Sequence, residues 1–129
     1  MLHYTELPLG KSLDILCDAK REHRVSAHYV VAEDGTVYRL VPEDRVAWHA
    51  GKSWWRGREA LNGTSIGIEI VNLWGDANDY PEPQVAALIE LCHGQAMQSQ
   101  SGQFAGAAQM KVYLGADSRI GVSAGGARF

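Results

Sequence analysis

The run Thr64-Ser65-Ile66-Gly67-Ile68-Glu69-Ile70-Val71-Asn72 narrows what this chain can become more than any other stretch. Ile66, Ile68 and Ile70 alternate with Ser65, Gly67, Glu69 and Val71. A period of two with β-branched residues predicts a strand buried on at least one face. Glu69 then stands in the middle of an apolar strand, where an unpaired carboxylate is costly. Two readings compete for it. Either a neighbouring Arg or Lys pairs with the carboxylate, or Glu69 is a general acid/base whose pKa is raised by burial. Its surroundings decide.

A chain of 129 residues fits a single domain with a core of its own. The formal net charge of −3 gives no reason to expect nucleic acid or an anionic membrane surface as partner. No apolar run approaches the roughly 20 residues of a membrane span, and no signal peptide is visible. Cys17 and Cys92 are too few for a disulfide scaffold, and both lie in helical patterns.

Met1 to Thr5 reads as a strand closed by Pro8 and Gly10. Ser12 is placed to cap a helix to about Glu22, with Leu13, Leu16 and Cys17 facing inward. Ser26–Ala32 and Thr36–Val41 are expected strands, joined at Asp34-Gly35 as a hairpin. Val46–Gly51 is expected to begin as a short strand and become a loop. That loop, Lys52 to Gly63, carries Trp54, Trp55, Arg56 and Arg58. After Tyr80-Pro81-Glu82-Pro83, the spacing of Val85, Leu88, Ile89 and Cys92 predicts a helix that Gly94 could end. From Gln95 to Phe129 the chain turns to Gln, Ser, Gly and Ala, and Met110–Leu114 is its one convincing strand. That tail is atypical of the rest and is expected to pack poorly.

All five histidines, His3, His23, His28, His49 and His93, precede this tail. His23 and His93 fall at polar helical positions and read as ordinary surface residues. His3, His28 and His49 lie on or beside expected strands, near aromatics. Any one alone suits a structural imidazole. Three on one small sheet with a buried Glu69 form a candidate site, and imidazoles with a non-ligating carboxylate suit a hydrolytic zinc centre.

Taken in order, His3-Tyr4-Thr5, Val25-Ser26-Ala27-His28-Tyr29, Asp34-Gly35-Thr36-Val37-Tyr38, Ala47-Trp48-His49-Ala50-Gly51 and Asn62 through Glu69 resemble the zinc-dependent N-acetylmuramoyl-L-alanine amidases. These are relatives of phage lysozyme-amidases and peptidoglycan-recognition proteins, and the resemblance covers about residues 1–94. It implies an α/β (mixed α+β) fold, with a central mixed β-sheet flanked by helices and a peptidoglycan cleft along one face. The implied reaction is hydrolysis of the bond between N-acetylmuramic acid and the L-alanine of the stem peptide. His3 matches the first zinc ligand and Glu69 the catalytic carboxylate. His28, His49, Trp48, Trp54, Trp55 and Asn62 match the substrate side, where flat aromatics can lie against sugar rings. Zinc would polarise the carbonyl and acidify its bound water, and Glu69 would carry the proton to the leaving amine. The implied partners are peptidoglycan or muropeptides, and the chain is expected to be a monomer. The resemblance leaves the compartment open between periplasm or cell wall and cytoplasm.

The family's C-terminal Gly-His-x-Asp and Arg-Lys-x-Asp-Pro-Gly segments have no counterpart here. The corresponding stretches read Leu114-Gly115-Ala116-Asp117-Ser118-Arg119-Ile120 and Gly125-Gly126-Ala127-Arg128-Phe129. Asp117 is the sole candidate substitute ligand, and it echoes a family position that does not bind metal. A catalytic zinc uses three protein ligands. Two explanations stand: a tail whose sequence has been altered, or a relative that kept the cleft and lost the metal. The second would be a peptidoglycan-binding module without catalysis.

Overall fold

The structure, a computed structural model, describes residues 1–73 and 79–100. Its main sheet runs in the order Leu2–Tyr4 (β1), Ile68–Ile70 (β6), Tyr29–Val31 (β2), Val37–Arg39 (β3). β6 lies between β1 and β2 and is parallel to both, while β2 and β3 are antiparallel. The result is the expected mixed sheet. Helices Leu9–Cys17 (α1) and Glu82–Gln100 (α2) complete the α+β fold, with a small hairpin of Trp54–Trp55 (β4) and Arg58–Glu59 (β5).

Register separates the two faces of the sheet. Leu2, Ile68 and Tyr29 are paired across neighbouring strands, as are Tyr4, Ile70 and Val31. Side chains from this face join Ile66, Leu88 and Cys92 in the core, with Tyr80, Ala87 and Leu91 packed against it. Each fully buried aliphatic side chain contributes about 1.5–3 kcal/mol. His3, Glu69 and Val30 are the intervening partners, so they share the opposite face.

The elements depart from the expected boundaries for identifiable reasons. α1 opens at Leu9, because Pro8 already has an extended backbone that sets the first turn. Ser12 is therefore buried inside the helix, its hydroxyl against the carbonyls of Pro8 (3.0 Å) and Leu7 (3.2 Å), and does not cap it. The helix stops at Cys17, well before Glu22, where the Asp18 carboxylate accepts the Lys20 N–H at 2.9 Å. Cys17 is exposed, not inward-facing. β6 is shorter than Thr64–Asn72 because Gly67 spends its N–H on a His28 ring nitrogen, and Ser65 bonds back to Leu61.

At the Asp34-Gly35 hairpin, Gly35 has φ +86°, and a Cβ there would stand 2.7 Å from the Pro83 carbonyl oxygen. Both facts require glycine. The inward face of α2 carries Gln84, Leu88 and Cys92, whereas Ile89 is exposed, and the helix continues past Gly94. Val46–Gly51 forms no strand and pairs locally with Ser26, through Ser26 N–H to the Trp48 carbonyl and Trp48 N–H to Ser26 Oγ. Gln95–Gln100, assigned to the atypical tail, are the last turns of α2. Met110–Leu114 and Asp117 lie outside the described residues. Among the described residues no helix is long and apolar enough to cross a membrane.

Candidate active site

Because β1 and β6 are parallel and in register, His3 stands directly beside Glu69 on the face away from α2. His49 joins them from the segment before β4. Its ring centroid is 5.8 Å from that of His3 and 5.8 Å from that of His28, both edge to face. The three histidines and the carboxyl singled out in the sequence therefore meet on one face.

Glu69 is partly buried, and burial alone pushes its carboxyl up to about 7. No neighbouring cation among the described residues offsets that burial, so the ion-pair reading of Glu69 finds no partner among them. Burial also lowers the His3 and His49 imidazoles to about 4, keeping both neutral at physiological pH. His3 Nε2 and His49 Nδ1 are both buried without a hydrogen-bond partner among the described residues.

His28 has a different position from the one expected. It is 1% exposed, its Nδ1 accepts the Gly67 N–H at 3.0 Å, and its Nε2 lies 3.0 Å from the Arg45 carbonyl. A carbonyl only accepts, so Nε2 carries the proton. Neither ring nitrogen remains for a substrate. His28 ties β2 to the start of β6 and to the loop that leads to His49.

Asn62 also turns inward. Its Oδ1 accepts the N–H groups of His49 (3.0 Å) and Ala50 (2.7 Å). Trp48 and Trp54 are 54% and 67% exposed, offering open aromatic surface. Trp55 is half-buried, with the Arg56 guanidinium 5.6 Å from its ring centre. These two tryptophans belong to a hairpin, not to the loop expected there. Arg56 and Gly57 both have positive φ, as a two-residue primed turn demands. An Arg-Gly pair gives little hint of such a turn in sequence.

Two further contributors carry no advance signal. Gln84, fully buried, donates its carboxamide N–H groups to the carbonyls of Val31 (3.0 Å) and Val71 (2.9 Å), clamping β2 to the end of β6. Gly67 leaves room for His49, since a Cβ there would lie 2.3 Å from that ring's Cγ and 2.8 Å from its Cβ. Gly67→Ala is expected to displace the His49 ring and lower stability by about 1–3 kcal/mol. Thermal denaturation together with the His49 ring signals in NMR checks both effects.

The fit of a metal can be tested on these side chains. His3 Nε2 is an orphaned imidazole nitrogen with the chemistry of a zinc donor. Among the described residues, however, no group of three His, Cys, Asp or Glu side chains is placed to hold a metal ion. The described residues do not complete a zinc site.

A mixed sheet thus carries neutral imidazoles and a carboxyl raised by burial together on one face. Comparison with known proteins gives that domain a family. The N-acetylmuramoyl-L-alanine amidase family model matches residues 1–108, and the chain belongs to that family. Members of this family are generally zinc-dependent. The chain is 43% identical to N-acetylmuramoyl-L-alanine amidase AmiD of Escherichia coli over 79 residues, covering 56% of this chain and 27% of that protein. It is 53% identical over 47 residues to 1,6-anhydro-N-acetylmuramyl-L-alanine amidase AmpD of the same organism, covering 36% of this chain and 26% of that one. The chain thus spans about a quarter of the length of these curated relatives. Among solved structures, AmpDh3 of Pseudomonas aeruginosa in complex with anhydromuramic pentapeptide superposes with a TM-score of 0.67 at 36% identity, over 75% of this chain and 44% of that one. AmiD of E. coli in complex with anhydro-N-acetylmuramic acid-L-Ala-D-gamma-Glu-L-Lys gives 0.67 at 35% identity, over 77% and 42%.

Proposed function

We propose that this chain acts on muropeptides, hydrolysing the amide that joins N-acetylmuramic acid to the L-alanine of the stem peptide. The observation that carries this reading is Glu69, a carboxyl near 7 set beside His3 on the sheet face opposite the core cluster. At that value it is well matched to take a proton and return it at neutral pH. In the reaction a water oxygen bonds to the amide carbonyl carbon and the carbon–nitrogen bond breaks. Glu69 accepts the water's proton and delivers it to the departing amine of alanine. The products are a carboxylic acid and an amine, and no proton is left over on the enzyme.

His49, its ring 5.8 Å from that of His3, has in Nδ1 an acceptor without a partner among the described residues, which would receive a substrate N–H or O–H. Trp48 and Trp54 would lie against the sugar ring. His3 Nε2 is the donor that the described residues offer to a metal, and no step is routed through a metal whose donor set they do not complete. The anhydromuramyl peptides named in the complexes of AmpDh3 and AmiD support the substrate class.

Incubating the purified chain with anhydromuramyl-tripeptide, with and without added zinc, tests the proposal by mass spectrometry. The expected products are anhydromuramic acid and a peptide with free N-terminal alanine, released slowly and faster with zinc. Retention of the muropeptide without cleavage would make the chain a binding module. A chain that neither cleaves nor retains the muropeptide overturns the reading altogether.

A further inference from the structure

Asn62, expected on the substrate side, commits its side-chain oxygen to the backbone. It sits in the 3₁₀ turn Leu61–Gly63, and that turn is fixed from both sides. Leu61 is buried, its N–H donates to Ser53 Oγ at 3.1 Å, and its carbonyl accepts the Thr64 N–H (3.0 Å) and the Ser65 hydroxyl (2.7 Å). From this anchored turn a single oxygen, Asn62 Oδ1, receives two consecutive amides, those of His49 and Ala50. One acceptor shared by successive N–H groups removes the freedom of the backbone between them.

Besides the edge-to-face contacts with His3 and His28, the same segment supplies further holds on His49. Its Nε2 is 3.4 Å from the Ser65 carbonyl, an acceptor, so the ring proton belongs on Nε2 and the lone pair on Nδ1. Gly67 forms the floor under the ring. Residues 61–67 therefore grip His49 at its backbone, at one ring nitrogen and at one ring face. Nδ1 is left without a hydrogen-bond partner among the described residues.

We propose that Asn62 is a positioning residue for His49, acting through the His49 and Ala50 amides and not by touching substrate. The kinetic part of its test rests on the muropeptide reading, while the spectroscopic part does not. Only a side chain with an acceptor oxygen at this reach serves, so Asp can replace Asn and Ala cannot.

The test uses isotope-labelled wild-type, Asn62→Ala and Asn62→Asp chains at one pH, with the exposed His93 as internal control. In the wild type, His49 and Ala50 amides exchange slowly and the His49 ring is an Nε2–H tautomer. In Asn62→Ala both amides are expected to exchange at least about tenfold faster, with the two His49 tautomers mixing and His93 unchanged. Turnover of anhydromuramyl-tripeptide should drop by about tenfold or more, and Asn62→Asp should restore all three signals. The proposal is overturned if Asn62→Ala reduces turnover without moving the His49 signals, or if Asn62→Asp fails to restore them. If Asn62→Ala does not fold, the wild type decides, since rapidly exchanging His49 and Ala50 amides in the folded protein would equally overturn it. Absence of turnover in the wild type itself counts against the muropeptide reading alone, and the ring and amide signals still report on Asn62.

Discussion

Glu69→Gln is expected to make the chelator-treated protein more stable at pH 8 while removing most of its turnover. The carboxyl is raised by burial from 4.5 to about 7. The folded chain therefore holds a proton that the unfolded chain releases between those values. The sign follows directly: the Glu69 contribution is fully present below pH 4.5, is lost as pH rises through about 7, and stays lost above it. Gln cannot ionise and escapes that loss. The stability difference between variant and wild type should be near zero at pH 4 and reach about 3 kcal/mol at pH 8. His3 and His49, lowered to about 4 by burial, respond in the opposite sense, losing stability as pH falls from 6.5 towards 4. Both proteins carry them, so the difference isolates Glu69. Urea denaturation at several pH values measures it. Turnover of muropeptide should fall by about 10²–10⁴-fold, because the proton acceptor is gone. A variant no more stable at pH 8 than at pH 4, relative to wild type, would show that Glu69 is solvated and not held as the geometry indicates.

Much of this arrangement was legible in the residues. Alternation along Ile66 to Val71 assigns Ile68 and Ile70 to one face and Glu69 to the other, and register bears that out. His3 follows Glu69 because a parallel partner strand in register must present both side chains to the same side. Ring-nitrogen partners have no such periodic signature. His28 could be placed on a strand, but its bonds to Gly67 and Arg45 span 39 and 17 residues of chain, and nothing local announces them. The backbone bonds of Asn62 are hidden for the same reason, since a carboxamide that captures remote amides looks in sequence like one that awaits a ligand. Gln84 is the reverse case. A polar residue at the start of a helix suggests an exposed position, yet it is buried because two strand carbonyls lie within its reach. The hairpin β4–β5 was hidden by an arginine in a left-handed turn position, which local propensity disfavours.

His28→Ala is expected to be the most damaging single change to the fold. It opens a cavity at a fully buried position and strands two backbone groups, the Gly67 N–H and the Arg45 carbonyl, in the interior. Cavity and lost hydrogen bonds together amount to about 3–5 kcal/mol. Domains of this kind have total stabilities of about 5–15 kcal/mol, so a large share of the folded population is at stake. His28→Phe separates the two contributions. It roughly fills the volume but bonds neither group, and about 2 kcal/mol of the loss should remain. The wild-type ring must stay neutral to accept the Gly67 N–H, in keeping with a pKa lowered chiefly by burial. Stability drawn from it is therefore present above the ordinary imidazole range and lost as pH falls through it. In His28→Phe that part of the acid sensitivity should disappear. Denaturation curves of wild type, His28→Ala and His28→Phe at pH 7 and pH 5 resolve all three quantities. Equal stability of His28→Phe and wild type at pH 7 would mean that the two bonds contribute nothing, and that His28 serves by shape alone.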